Sequence, residues 1–103
     1  MQIAHTSDLG GDALAAVRSL MVDAFGDQFT EDDWRHCLGG MHALLWEDGE
    51  LIGHACVTQR RLIYDGEAVR TGYVEGLAVR GDRRRQGHGR TLMSAIDRIV
   101  RGG

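Results

Sequence analysis

Lysine and proline are both missing from this chain of 103 residues, so all 12 basic side chains are arginines, an absence that reads as coding bias. Cysteine is scarce. Cys37 and Cys56 are the only two, without CxxC spacing or a metal-like cluster, which leaves them as buried thiols rather than a structural disulfide or a catalytic nucleophile. Long apolar runs are missing too: none approaches the roughly 18 residues of a transmembrane helix. The first residues, Met1 to His5, lack the charged and apolar regions of a signal peptide. Together these absences predict a cytoplasmic protein with no membrane partner.

What is present suits one small globular domain over 1–103. The composition is 43% apolar and 26% charged. Folding a chain of this size buries roughly two-thirds of its extended surface, enough for a real core. The charge is unevenly placed. Residues 1–50 hold Arg18 and Arg35 against ten acids, 2 − 10 = −8. Residues 51–103 hold ten arginines against five acids, 10 − 5 = +5. A basic half suits a phosphate-bearing ligand and an acidic half a cationic one, unless folding simply mixes the two. The arginines gather at one loop without interleaved aromatics, which speaks against nucleic acid as a partner.

Periodicity orders the elements. Ile3 to Thr6 suits a short strand, and Asp12 to Phe25 a helix with Leu14, Val17, Met21 and Phe25 on its apolar face, ended by Gly26. Thr30-Glu31-Asp32-Asp33 resembles a capping box with Asp in place of Glu, opening a short helix to about Leu38 before Gly39-Gly40. Strands are expected over Met41–Trp46, Leu51–Tyr64 and Ala68–Arg80, with turns at 47–50 and at Asp65-Gly66. A helix from about Arg90 to Arg101 carries Leu92, Ala95, Ile96, Ile99 and Val100 as its core stripe. The class is α/β in the α+β sense: a short strand, two helices, a three-strand antiparallel meander, a loop and a helix.

Between the last strand and that helix lies Arg84-Arg85-Gln86-Gly87-His88-Gly89. A strand, an Arg-x-x-Gly-x-Gly turn and a helix line up backbone N–H groups and a positive helix end around a pyrophosphate, with little side-chain bulk in the way. This points to a nucleotide-derived carrier such as coenzyme A, and so to group transfer. The plainer alternative is a glycine-rich turn that closes a short loop, and His88 is expected to be a solvent-facing loop residue whose backbone N–H matters more than its ring. A strand feeding a helix normally continues to a parallel partner strand, and here none follows before Gly103.

The order of elements resembles the first half of a GNAT-superfamily N-acetyltransferase. It is more closely similar to the aminoglycoside 2′-N-acetyltransferases of mycobacteria and related actinobacteria. The matching stretches are 29–34, 38–44, Gln59-Arg60-Arg61-Leu62-Ile63-Tyr64 and Gly72 through Arg80. The resemblance implies transfer of acetyl from acetyl-CoA to the 2′-amine of an aminoglycoside, with no metal. It implies that Arg84, Arg85, Gln86, Gly87, His88 and Gly89, with Arg90, hold the CoA pyrophosphate. The backbone of Leu77, Ala78 and Val79 would pair with the pantetheine arm, and Glu75 and Gly76 would meet the acceptor, Glu75 as general base through water. Asp33 and Gln28 fall where the family contacts the antibiotic, although the family usually has an acid at the position of Gln28. The family also suggests a homodimer, and a chain shortened at its C-terminus relative to it.

Plainer readings stand beside these. Glu75 in mid-strand could be a salt-bridged carboxylate, since a buried one needs a partner. Asp33 is explained equally by helix capping. Trp34, Trp46 and Tyr73 suit either stacking on sugar faces or core packing. His42 and His54 read as satisfied core histidines without metal spacing, and Arg60 and Arg61 carry no assigned role. Alternative functions are acetylation of another amine, such as a cell-wall amino sugar or polyamine, or an inactive CoA-binding or dimerisation module.

Overall fold

The computed structural model describes residues 1–64 and 66–102, without side chains at 59–64, 67–73 and 75. Four strands form one antiparallel sheet in the order β1-β2-β3-β4: β1 is Gln2–His5, β2 Met41–Glu47, β3 Glu50–Tyr64 and β4 Glu67–Val79. The β2–β3 turn closes through Asp48 and Gly49, both at positive φ (52° and 80°), the primed geometry that matches strand twist. The second hairpin pairs Tyr64 with Glu67, while Asp65 of its turn signal lies outside the described residues.

Helix α1, Gly11–Phe25, and the short α2, Glu31–Cys37, cover one face of the sheet; α3, His88–Gly102, covers the other. Strand alternation sorts the core accordingly. Leu44, Cys56 and Ala78 pack with Val17, Leu20, Met21 and Cys37 on the α1 side. Ala43, Ala55 and Val57 pack with Leu92, Ala95 and Ile96 on the α3 side. The capping box opens α2 as the sequence predicts: Thr30 Oγ1 accepts from the Asp33 N–H at 3.2 Å, and Asp33 Oδ2 from the Thr30 N–H at 3.0 Å.

Two expectations about the core need correction. Phe25 ends the apolar stripe of α1 in sequence, yet it is 40% exposed and lines a cavity instead of joining either core cluster. Val100 is likewise exposed near the end of α3, while Leu92, Ala95 and Ile96 carry that helix's contact.

Candidate functional site

The sheet register breaks at one place that matters for chemistry. Cys56 on β3 pairs with Gly76 and the next residue, Val57, pairs with Val74, so Glu75 is the extra residue of a β-bulge in β4. A bulge kinks a strand and re-aims the residue it carries, and such features collect beside active sites. Glu75 is described here through its backbone, and its side chain lies outside the described residues, as do those of Tyr73, Arg60 and Arg61. Beyond the bulge, Gly76 lies against α1: a Cβ built on it would collide with Met21 Cε.

After Val79 the chain turns through a loop held by ion pairs. Arg80 reaches Glu50 Oε2 at 2.5 Å and grips both oxygens of Asp82, at 2.6 and 2.8 Å. Arg83 donates to Glu47 Oε1 through Nη2 at 2.7 Å and Nε at 3.1 Å. The Arg83 hydrogen bond holds the Glu47 carboxyl below its ordinary pKa, and the Arg80 hydrogen bond does the same for Asp82. The same contacts raise both guanidinium groups. Part of the charge asymmetry in sequence is thus local pairing, with the acids of the β2–β3 turn stapling the loop that follows β4. Among the described residues Arg84, Arg85 and Arg90 form no ion pair, so their charge remains for a ligand. Arg84 instead donates from Nε to the Val79 carbonyl at 3.3 Å.

Arg85 and Gly87 both take positive φ, 64° and 82°, folding the loop tightly before α3. Gly87 accommodates this without cost, whereas Arg85 holds a conformation that side chains disfavour. The helix begins at His88, earlier than the Arg90 predicted from periodicity, and its first backbone bond runs from Thr91 N–H to the Gly87 carbonyl at 3.1 Å. The N–H groups of His88, Gly89 and Arg90 therefore belong to the first turn, where a helix has no internal acceptors. His88 is not a solvent-facing loop residue: it starts the helix, and its Nε2 is buried without a hydrogen-bond partner.

Two cavities flank this region. The larger, about 320 Å³, runs from Leu77, Ala78 and Val79 to Arg83–Arg85 and Gly87–Gly89, with Ala24 and Phe25 of α1 as its far wall. It gathers eight of the ten residues assigned to cofactor in sequence; Gln86 and Arg90 do not line it. The smaller, about 220 Å³, is lined by Met21, Phe25, Gln28, Phe29 and Asp33. Gln28 and Asp33 are thus brought together, and Asp33 serves the helix cap while facing the pocket. Met21, Phe25 and Phe29 were not identified as site residues from sequence, because apolar residues on a helix face carry no signal that separates core from cavity wall.

The other aromatic candidates lie elsewhere. Trp46 is exposed on β2, and its Nε1 donates to Gln2 Oε1 at 2.8 Å. Trp34 packs against the α1-side core with the Arg18 guanidinium 5.6 Å from its ring centre, a cation–π contact, while Arg18 also pairs with Glu31.

His42 and His54 are fully buried, as core histidines should be, yet incompletely satisfied. His42 Nδ1 lies 2.8 Å from His54 Nε2, and His42 Nε2 lies 2.7 Å from Thr6 Oγ1. His54 Nδ1 has no partner. Burial pushes His42 down to about 4, helped by the charge of His5, and His54 to about 3, helped by His42. Folding also draws in Cys56, so that a donor atom from each lies within 4.8 Å of the others, a grouping the sequence spacing does not suggest. None of the three lines either cavity.

A four-strand antiparallel sheet with helices on both faces, a bulged strand and a glycine-bearing turn into the last helix make up an α+β fold. The chain belongs to the Acetyltransferase (GNAT) family, whose sequence model matches residues 13–102. It is 46% identical over 101 residues to an aminoglycoside 2′-N-acetyltransferase from Mycolicibacterium fortuitum. That match covers 98% of this chain and 52% of the relative, so the chain spans about half of the relative's length. Among solved structures, an acetyltransferase from Vibrio fischeri superposes with a TM-score of 0.73 at 18% identity, covering 99% of this chain and 88% of that one. AAC(6′)-Iy in complex with the bisubstrate analogue CoA-S-monomethyl-acetylneamine superposes at 0.67 with 21% identity, covering 94% and 69%. At those identities the likeness is one of fold. No helix among the described residues is long and apolar enough to cross a membrane.

Proposed function

We propose that this chain carries the donor site and part of the acceptor site of an acetyl-CoA-dependent N-acetyltransferase acting on the 2′-amine of aminoglycosides. The observation that carries this reading is a pair of cavities that share Phe25 as a wall, one lined by Arg83–Arg85 and one bearing Asp33. In the larger cavity, Arg84, Arg85 and the first-turn N–H groups of α3 take the pyrophosphate. The strand end 77–79 offers its backbone to the pantetheine amides. The 46% identity to an aminoglycoside 2′-N-acetyltransferase supports the acceptor class. The smaller cavity, at about 220 Å³, lies below the usual ~300–1,000 Å³ of a whole-ligand pocket, which suits entry of one amine-bearing ring.

The chemistry is direct transfer. Glu75 takes a proton from the substrate ammonium through one water. The freed nitrogen lone pair attacks the thioester carbonyl, the C–N bond forms, the C–S bond breaks, and the departing thiolate takes up the proton that the nitrogen loses on becoming an amide. Backbone N–H donors polarise the carbonyl as charge develops on its oxygen. Holding both partners in adjoining cavities makes the encounter effectively intramolecular. Use of acetyl-CoA as donor supports a cytoplasmic location.

The test is thiol release from acetyl-CoA by the purified chain, with an aminoglycoside bearing a free 2′-amine and one lacking it. Release that requires the 2′-amine and falls about 10²–10⁴-fold in Glu75→Gln, with CoA affinity unchanged, is the expected result. A folded chain that binds no CoA contradicts the reading.

A further inference from the structure

Phe25 is the one residue that lines both cavities. It is the last residue of α1, and 40% of its surface is exposed. It belongs to neither buried core cluster. A large aromatic side chain left out of the core and shared as a wall by two cavities is placed to shape what each admits.

We propose that the Phe25 ring is the wall that sets the length of the acyl group this protein accepts from its thioester donor. The inference rests on the donor and acceptor assignment proposed above and adds a specificity role to it. If the thioester lies along Leu77–Val79 and the amine enters from the side of Gln28 and Asp33, the carbonyl carbon must sit where the cavities join. The acyl substituent then points at whatever bounds that junction. The near walls there are Phe25 and Met21 from α1. Met21 is held in place, because it fills the space left by the missing side chain of Gly76 and is almost fully buried. Phe25 is far more exposed than Met21 and belongs to neither core cluster, so it is the wall that substitution can move. Gly26 follows with φ of 58° and its N–H on the Val22 carbonyl, which fixes where the helix stops and therefore where the ring stands.

The experiment uses the intact chain and reads binding, so it does not depend on turnover. Affinities for CoA, acetyl-CoA, propionyl-CoA and butyryl-CoA are measured by calorimetry, with circular dichroism to verify folding. The unaltered chain should bind CoA and acetyl-CoA alike and butyryl-CoA roughly 10-fold or more weakly, the discrimination a methylene-sized wall imposes. Phe25→Ala should bring butyryl-CoA to within about 2-fold of acetyl-CoA, the ratio being the readout because Phe25 also lines the CoA cavity and its loss can alter CoA affinity itself. Phe25→Leu, a milder truncation, should shift the cut-off in the same direction, and Phe25→Trp should move it down to propionyl-CoA. Equal affinity of the unaltered chain for all four, or an unchanged butyryl-to-acetyl ratio in folded Phe25→Ala, overturns the proposal while leaving the donor site standing. Failure of the folded, unaltered chain to bind CoA at all removes the donor site, and the wall with it.

Discussion

Met21 Cε occupies the space where Gly76 would carry a side chain, so helix α1 and strand β4 touch directly beneath the bulge at Glu75. Only a residue without a Cβ allows this approach, and it fixes the floor of the smaller cavity, which Met21 lines. Gly76→Ala should push the flexible end of Met21 outward and fill part of that cavity. The expected outcome is an intact fold, CoA affinity within about 2-fold of the original, and acceptor affinity lowered roughly 10-fold, all measured by calorimetry.

Asp33 holds two positions at once, in the cap of α2 and on the cavity wall. Asp33→Asn keeps an oxygen that can accept from the Thr30 N–H and removes the charge. Thr30→Ala does the reverse, removing the cap hydroxyl and leaving the carboxylate. We expect Asp33→Asn to weaken binding of a cationic acceptor with little change in melting temperature. Thr30→Ala should cost about 1 kcal/mol, a fall of roughly 4–8 °C, with smaller effect on binding. Thermal melts and titrations on the two variants separate the roles; equal effects on both readouts would mean that Asp33 acts only as a cap.

The buried His42–His54 pair predicts how stability depends on pH. Both groups titrate lower in the folded chain, at about 4 and about 3, than the 6.5 of an ordinary histidine. Above pH 6.5 neither state is protonated there, and the pair adds no pH dependence. Below it the unfolded chain takes up protons that the folded chain refuses, so stability falls as pH drops from 6.5 towards 4. The loss is on the order of 1.4 kcal/mol per pH unit for each histidine. Urea unfolding at stepped pH should show this slope, and replacing His54 with Leu should flatten it.

Arg85 carries charge into the larger cavity while holding a φ of 64°. Arg85→Gly should relieve the backbone and remove the charge together. The variant should be as stable as the original or slightly more so, yet bind CoA more weakly and with a shallower dependence on salt. A loss of stability would mean that the loop is held by the arginine side chain rather than strained by it.

Leu92 is fully buried on the α3 side, and its Cδ1 lies 3.1 Å from where a Cβ on Gly53 would stand. Leu92→Ala should cost about 2–5 kcal/mol, a large share of the stability of a domain this size, read as a lower urea midpoint.

Much of this was legible in the residues themselves. The Thr30–Asp33 box, the Gly39-Gly40 stop and the Asp48-Gly49 turn are local rules, satisfied within a few residues, and each holds as read. The run from Arg84 to Gly89 reads in sequence as a glycine-bearing turn between strand and helix, and it folds as one, with positive φ at Arg85 and Gly87 before α3. The bulge at Glu75 was not legible, since nothing in Val74-Glu75-Gly76 says which residue the opposite strand will skip. Nor was the clustering of His42, His54 and Cys56, which lie on two strands and meet only through their register. The start of α3 was misplaced because periodicity locates the apolar face, while Gly87 sets the boundary.

By itself, then, the sequence determined the kinds of element, their order, the turn and cap chemistry, and the arginine- and glycine-bearing loop. All of these depend on neighbours within about one helical turn or one hairpin. The tertiary structure alone decided which arginines remain available to a ligand, Arg80 and Arg83 being taken by Glu50 and Glu47 some thirty residues away. It also decided that Phe25 leaves the core to stand between two cavities. Both outcomes depend on which elements distant in sequence are brought together, which is set by packing and not by any local preference of the chain.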